Sequence, residues 1–407
     1  MRWIVFILFY AAIDLYAYQA FRTITKHAWA PWLYFGTSII VIGLLVGQLL
    51  SMGEARNTQP LGLYVFGLFL AFFIPKLLLG TLLFIEDLGR LIWGVVRYFT
   101  TDTEGFLPTR RKFISNIALI TAALPFGALL YGMFRGKYQY QVLSYALTFD
   151  DLPEEFEGYT IAHISDIHCG SFDDQEKVAY GISLIMEQNA DIILFTGDLV
   201  NNRADELDPW QSTLGQLSAP DGVYSVLGNH DYGDYVPWSN EAEKRANLED
   251  LKQRQADMGW QLLLNEHVTI KRKNQEVKLI GVENWGAGGF KKSGDFQAAI
   301  KGLAPEAFKI LMSHDPSHWE HQIKDHAENV HLTLSGHTHG MQFGVDIPGL
   351  IKWSPAQYRY PFWAGIYKRN QKFLNVNRGF GFIGYPGRVG IKPEVTVIQL
   401  KKGPKMA

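Results

Sequence analysis

The sequence TIAHISDIH, residues 160–168, runs from a short apolar stretch into two side chains of metal-binding types. The β-branched residues predict a strand over 160–165. Asp166 and His168 lie two positions apart, so in extended backbone they face the same way and are placed to chelate one ion. His163 has the opposite parity, and we expect it to be packed or hydrogen-bonded instead.

Four further motifs pair oxygen or imidazole donors with small or short polar residues, and nearly every one follows an apolar run. They are Gly197-Asp198, Gly228-Asn229-His230-Asp231, Ser313-His314-Asp315 and Gly336-His337-Thr338-His339-Gly340. Two cations about 3.5–4 Å apart need a shared anionic ligand. Asp198 is the natural bridging carboxylate, because Gly197 allows close backbone approach. Five such motifs in one domain predict a dinuclear hydrolytic centre.

The chain from about Tyr138 onward has the mixed composition of a soluble α/β domain. Helices are predicted over 174–188 and 241–258. Alternating strands and helices place ligands just beyond the carboxyl ends of strands. The predicted strands are 140–149, 160–165, 191–196, 223–227, 278–282, 309–312, 330–334, 373–376 and 395–400.

Residues up to about 135 are dominated by large apolar side chains. Four segments approach or exceed the roughly 18–20 residues needed to cross a bilayer: 3–21, 33–52, 61–85 and 113–134. Residues 86–100 alternate charged with apolar side chains, which predicts an amphipathic helix in the interface. We therefore expect four transmembrane helices in residues 1–135, a catalytic domain at 138–400 and a tail at 401–407.

The distribution of basic residues predicts the side of the membrane on which the domain lies. The flanks after the first and third segments are the more basic ones, so the domain is expected outside the cytoplasm, on a bacterial inner membrane. Arg110-Arg111 fits either an internal twin-arginine export signal or a basic helix end, and both agree with that side. The net charge of −2 gives no argument for nucleic-acid binding. The basic residues of the cytoplasmic flanks are Arg22, Lys26, Arg90, Arg97, Arg110, Arg111 and Lys112, against Arg2, Arg56, Arg135 and Lys137 on the other side.

The five motifs, in this order, resemble those of the calcineurin-like metallophosphoesterases. The resemblance implies a two-layered β core flanked by helices, and two divalent ions of Mn, Fe or Zn. It implies that His230 contacts the phosphoryl group and acts as a general acid. It assigns Asp166, His168, Asp198 and His339 to one ion, and Asp198, Asn229, His314 and His337 to the other.

Three further stretches resemble a membrane-attached branch of that family: residues 311–316, 377–379 and 393–396. Some members of this branch hydrolyse UDP-2,3-diacylglucosamine in lipid A biosynthesis. The expected function is therefore a membrane-anchored hydrolase of a phosphoester or pyrophosphate bond in a lipid-linked substrate, acting by direct attack of a metal-bridging hydroxide. The alternatives are the UDP-2,3-diacylglucosamine step itself, a non-catalytic receptor for phosphate ligands, and a nuclease, against which membrane anchoring argues.

Two sets of residues outside the motifs have open roles. Arg378 and Arg388 are predicted to bind a substrate phosphate or lipid headgroup, with structural pairing as the alternative. Aromatic residues concentrated after the last motif form either an apolar wall for acyl chains or membrane, or part of the core and surface. They are Trp353, Tyr358, Tyr360, Phe362, Trp363 and Tyr367.

Overall fold

The computed structural model describes residues 2–51, 60–100, 108–347 and 349–403. The chain divides into two compact units, one formed by residues 1–53 with 64–134 and the other by 54–63 with 135–407. Arg56 of the predicted basic flanks lies outside the described residues, as do position 52 of the second predicted membrane segment and positions 404–407 of the predicted tail.

The first unit consists of four long apolar helices in its described residues. Each contains a stretch long and apolar enough to cross a membrane. Large apolar side chains such as Ile39 and Leu124 are exposed on their outer faces, as expected where lipid is the solvent. The helices are α1 (Arg2–Ile24), α2 (Ala30–Ser51), α3 (Pro60–Thr100) and α4 (Pro108–Phe134).

The predicted amphipathic segment 86–100 is helical, but it continues α3 instead of forming a helix of its own. The 41 residues of α3 extend about 60 Å, roughly twice the thickness of a hydrocarbon core. Pro75 lies within the helix without ending it, and Glu86 pairs with Arg90 one turn later at 3.4 Å. The predicted helix over 86–100 is confirmed, its separation from the preceding helix is wrong, and its location in the membrane interface stays a prediction.

A charged pair lies inside the helix bundle. Lys76 on α3 donates hydrogen bonds to Asp14 Oδ1 on α1, at 2.6 Å, and to Ser38 on α2. The hydroxyl of Tyr34 donates to the backbone carbonyl oxygen of Asp14 at 3.1 Å. Charges buried among membrane helices need such partners. The pair therefore ties three helices together.

Removing one charge of this pair should destabilise the bundle more than removing both charges. Lys76→Met leaves Asp14 buried and unpaired, with an expected cost of about 3–5 kcal/mol. The double variant Asp14→Leu/Lys76→Met should recover most of that loss, because no buried charge remains. The measurement is the midpoint of SDS-induced loss of helical circular dichroism. Equal midpoints for the single and double variants would contradict a structural role for the pair.

The second unit contains fourteen strands in its described residues. They form a sheet of order β1-β14-β2-β3-β4-β5, a sheet of order β12-β13-β9-β8-β7-β6, and a β10-β11 hairpin. In chain order they are β1 (Gln141–Phe149), β2 (Thr160–Ile164), β3 (Ile192–Phe195), β4 (Val223–Ser225), β5 (Trp260–Leu262), β6 (Glu266–Arg272), β7 (Gln275–Gly281), β8 (Lys309–Met312), β9 (Leu332–Ser335), β10 (Val345–Ile347), β11 (Ile351–Trp353), β12 (Gly365–Arg369), β13 (Lys372–Val376) and β14 (Glu394–Lys402).

The two six-stranded sheets pack face to face. Ile161 and Leu194 of the first sheet share one buried cluster with Ile310 and Leu332 of the second. Helices cover the outer faces, which confirms the predicted two-layered core flanked by helices. The helices of this unit are α5 (Gln175–Met186), α6 (Gln211–Leu214), α7 (Glu241–Asp257), α8 (Phe296–Ala299) and α9 (Pro316–His318).

Every predicted strand overlaps an observed one, and the two predicted helices correspond to α5 and α7. Five strands were missed: β5, β6, β10, β11 and β12. Three of them have only three residues, too few for a period-2 pattern to stand out. The other two are edge strands in which only one residue each is fully buried, so neither shows a clear apolar pattern.

Sheet topology brings the motifs together. Strands β2, β3 and β4 are mutually parallel in the first sheet, and β8 and β9 are parallel in the second. A donor motif follows the carboxyl end of each of these five strands. Because the sheets are stacked, donors from both meet at one edge, as predicted for an α/β domain.

Candidate metal centre

Six of the seven predicted metal-binding residues fall into two groups of three. Asp166, His168 and His339 form the first group, in which one donor atom from each lies within 4.8 Å of the others. Asp198, His314 and His337 form the second by the same measure. The two histidines of His337-Thr338-His339 are thus divided between the groups.

The backbone that presents these donors is left-handed, not extended. Strand β2 ends at Ile164, and both Asp166 and His168 have positive φ, of 53° and 47°. The prediction that they converge through strand parity is therefore wrong, although they do converge. Their peptides are held by the neighbouring loop, since Asp166 N donates to Gly197 O at 2.9 Å and His168 N to Asp198 O at 3.1 Å.

Three more donors share this strained conformation: Asp198, His337 and His339 have φ of 60°, 70° and 49°. A left-handed non-glycine residue costs on the order of 1–3 kcal/mol and persists only where surrounding structure fixes it. Such strain concentrates at functional sites. The donors are therefore preorganised by the fold.

Two motif glycines are required by close contact with the donors. A Cβ at Gly336 would overlap the hydroxyl of Ser165 and the carboxylate of Asp166. A Cβ at Gly228 would overlap the carboxylate of Asp198. These glycines therefore leave the space that the carboxylates occupy.

The carboxylate of Asp198 lies between the two groups. Its Oδ2 is 3.1 Å from His314 Nε2 in its own group and 3.5 Å from His168 Nε2 in the other. Its Oδ1 accepts a hydrogen bond from the backbone N–H of His230 at 2.8 Å. One carboxylate thus faces both sets of imidazoles.

Hydrogen bonds assign the ring nitrogens of two histidines. The Nδ1 of His314 lies 2.7 Å from the carbonyl oxygen of Thr196, so it carries the proton and leaves Nε2 for a cation. The Nδ1 of His230 lies 2.8 Å from the carbonyl oxygen of Asn201 in the same way. His230 is only half-buried, and its Nε2 is left for a ligand entering from solvent.

Several buried donor atoms have no hydrogen-bond partner within the part of the chain that is described. They are both ring nitrogens of His168, Oδ1 of Asn229 and Nε2 of His339. Buried polar atoms are nearly always paired, and unpaired ones call for a ligand or ion. Imidazole and carboxylate donors suit Mn, Fe and Zn. The residues present therefore fit divalent cations.

Burial and local charge prepare these groups for binding. Burial holds the pKa of His168 well below its usual range, so its ring is neutral and able to bind a cation. Burial alone would also lower the pKa of His314, but the charge of Asp198 and its hydrogen bond raise that pKa to about 10. Cation binding at His314 must therefore release a proton.

Two family profiles match this chain. The profile described as "Calcineurin-like phosphoesterase" matches residues 159–341. The profile described as "Probable Calcineurin-like phosphoesterase, transmembrane domain" matches residues 1–137. The chain belongs to the calcineurin-like phosphoesterases.

Two similar proteins carry names of the same kind. A zebrafish (Danio rerio) "Transmembrane protein with metallophosphoesterase domain" is 28% identical over 382 residues, covering 89% of this chain and 79% of that protein. The Bacillus subtilis "Uncharacterized metallophosphoesterase YkuE" is 28% identical over 300 residues, covering 72% of this chain and 98% of that protein. This phosphoesterase is thus a membrane protein and a phosphoester hydrolase.

Asp231 closes the third phosphoesterase motif without joining either donor group. Its buried carboxylate accepts backbone hydrogen bonds from Asp198 N at 2.9 Å, Leu199 N at 2.8 Å and Gly228 N at 2.8 Å. It therefore fixes the loop that carries Asp198. The sequence indicated that Asp231 belongs to the motif, but not that it acts through the backbone.

Asn229 and His337 each have a tyrosine partner that sequence reasoning missed. The hydroxyl of Tyr360 lies 2.8 Å from His337 Nε2, and the hydroxyl of Tyr235 accepts from Asn229 Nδ2 at 2.9 Å. The His337 contact leaves Nδ1 of that ring for a cation, 3.2 Å from His314 Nε2. Only the aromatic run around Tyr360 offered a signal, and it did not separate this tyrosine from its neighbours.

Both arginines with a predicted substrate role are buried and engaged by the protein itself. Arg378 pairs with Asp346 at 2.5 Å and with Glu394. Arg388 donates to the carbonyl oxygens of Arg378 at 2.8 Å and of Gly379 at 3.1 Å, and its Nη2 lies 3.2 Å from His339 Nδ1. These contacts correspond to the structural-pairing alternative, and a substrate contact stays a prediction.

Tyr360 should tune cation affinity through His337. Tyr360→Phe removes the hydroxyl that orients the ring, and loss of such a partner lowers metal affinity by roughly 10–100-fold. Tyr358→Phe is the matched control, because Tyr358 is 79% exposed two positions away. Titration of the metal-free protein with Mn²⁺ measures both. Unchanged affinity in Tyr360→Phe would show that the hydroxyl does not position His337.

Proposed function

We propose that this protein is a membrane-anchored, metal-dependent hydrolase of a phosphoester or pyrophosphate bond in a lipid-linked substrate. The observation that carries the proposal is the carboxylate of Asp198, within 3.5 Å of imidazoles from both donor groups. A shared carboxylate is what two closely spaced cations require. Asp166, His168, Asp198 and His339 would hold one ion, and Asp198, Asn229, His314 and His337 the other.

Bound cations would lower the pKa of a water molecule and neutralise the phosphoryl oxygens. The protein residues then orient the substrate and move protons. His230 presents Nε2 to the site because Nδ1 is committed to the carbonyl oxygen of Asn201. Its half-buried position suits contact with a phosphoryl oxygen and proton donation to the leaving group.

Covalent attachment to the membrane unit supports a lipid-linked substrate. A domain tethered to a bilayer meets lipids at a high effective concentration, and soluble phosphoesters gain nothing from the tether. UDP-2,3-diacylglucosamine is one candidate of this kind. The competing proposal, a receptor that binds phosphate ligands without turnover, keeps the donors but needs no proton donor at His230.

We place the catalytic domain, residues 138–400, outside the cytoplasm, following a membrane region at 1–135 in a bacterial inner membrane. The support is the excess of Lys and Arg in the flanks after the first and third helices. A reporter fused after Lys137 measures the side directly. Alkaline phosphatase activity without fluorescence from a cytoplasmic reporter is the result expected.

Substitutions at the centre separate catalysis from ligand binding. Purified protein with Mn²⁺ should cleave bis(p-nitrophenyl) phosphate, and Asp198→Asn should abolish turnover because the bridging charge is lost. His230→Ala should lower turnover by about 10²–10⁴-fold with metal content unchanged. His321→Ala is the control, since His321 is an exposed histidine outside both donor groups.

Two outcomes would overturn this mechanism. Full activity in Asp198→Asn would exclude a bridging role for that carboxylate. Metal-loaded wild-type protein with no turnover on a broad phosphoester panel would favour the receptor.

Substrate class is tested in cells. Cells lacking the protein should accumulate a phosphorylated lipid, and cells carrying His339→Ala should accumulate the same species, because both lack the centre. Untargeted lipid mass spectrometry measures this. Accumulation of a soluble phosphoester, with lipids unchanged, would refute the lipid linkage while leaving the hydrolase intact.

A further inference from the structure

Exposed apolar side chains in the phosphoesterase unit are concentrated in one segment. Nine large apolar side chains are exposed among the described residues from 135 to 403, and seven of them lie within 341–358. Large exposed apolar patches mark interaction sites, while isolated exposed apolar residues are ordinary. Residues 341–358 therefore form a candidate interaction surface.

The β10–β11 hairpin at the centre of this segment exposes its apolar face instead of its polar face. Val345 pairs with Trp353 and Ile347 with Ile351, so these four side chains share one face. All four are at least 40% exposed. The hairpin tip adds Leu350, which is 79% exposed. A solvent-facing hairpin normally presents its polar face to water.

The charged residues of the hairpin lie on the opposite face and bind the domain. Asp346 pairs with the buried Arg378 at 2.5 Å, and Lys352 Nζ donates to the carbonyl oxygen of Ala364 at 2.5 Å. The base is held as well, since Ser354 Oγ donates to Gly340 O at 2.6 Å. The hairpin is therefore fixed with its apolar face outward.

Exposed residues in the hairpin and just after it in the sequence are of types that favour a membrane interface. Trp353 and Tyr358 carry the amphipathic rings that concentrate at headgroup depth. Arg359, next to Tyr358, is an exposed cation that complements anionic headgroups. Apolar residues for the acyl boundary, aromatic rings and a basic residue together are the composition of an interfacial element.

A bilayer is within reach of this domain through the chain itself, because the same chain carries the four apolar helices α1–α4. Residues 135–140 alone separate the end of α4 from the start of β1, and six residues reach at most about 22 Å. We propose that the apolar face of the β10–β11 hairpin inserts into the surface of a lipid bilayer. The inference stands on the hairpin itself and does not require a lipid substrate.

Contact at this face would put the metal centre at the lipid surface. The segment begins with Met341, two residues after His339. It ends with Tyr358, two residues before Tyr360, whose hydroxyl contacts His337. Both ends of the apolar segment are thus joined to the donor groups by very short stretches of chain.

A single fluorophore tests the proposal. Cys169, the one cysteine of the sequence, is buried, so a cysteine introduced at the surface can be labelled selectively. Leu350→Cys carrying an NBD label, in full-length protein reconstituted at one chain per nanodisc, should show blue-shifted emission. It should also be quenched by lipids with a doxyl group on the acyl chain.

Tyr180→Cys is the matched control, at a 56% exposed position on α5. A label at this position should show neither the blue shift nor the quenching.

Each outcome decides the matter. Quenching at 350 and not at 180 supports insertion of the hairpin. Equal quenching at both positions would mean that lipid contact is not specific to the hairpin, and no quenching at 350 would mean that the hairpin stays in water. A blue shift in multi-chain proteoliposomes that disappears in single-chain nanodiscs would assign the face to a second copy of the chain. Any of these last three results overturns the proposal.

Discussion

The candidate metal centre depends on one buried carboxylate held between two groups of imidazoles. Asp198 lies 3.1 Å from His314 and 3.5 Å from His168 through the same oxygen. A buried anion is unfavourable unless positive charge or hydrogen bonds compensate it. Here the backbone N–H of His230 and the neighbouring imidazoles do so, while Asp231 holds the peptide of Asp198. Protein groups therefore offset part of the cost of burying the carboxylate of Asp198.

That placement requires two sheets packed together. Asp198 follows a strand of the first sheet and His314 a strand of the second, so their contact exists only because the sheets are stacked. Five donors sit in left-handed backbone, which costs on the order of 1–3 kcal/mol each. The surrounding core and the loop hydrogen bonds must offset this strain. The donor residues are thus held in place by packing, because their backbone conformations are locally unfavourable.

The membrane helices and the β10–β11 hairpin distribute polarity in the same way. In the helix bundle, Asp14 and Lys76 lie inside and apolar side chains face outward. In the hairpin, Asp346 and Lys352 bind the domain while apolar side chains face outward. This is the reverse of a water-soluble surface, and in both places lipid is the solvent that suits it.

The sequence by itself determined which residue types form the candidate site and where most of the strands and long helices lie. Donor types, motif spacing and apolar runs are local, and they predicted strands such as β2 and β8 as well as the four apolar helices. Contacts between side chains that are distant in sequence could not be predicted. Nothing near Tyr360 in the sequence points to His337, and nothing near Arg378 points to Asp346. Strand parity also misled at Asp166 and His168, because the chain leaves the strand at Ile164 and turns left-handed. Which atoms meet, and through what backbone, was decided by tertiary structure, since only the stacking of two sheets brings distant loops within bonding distance.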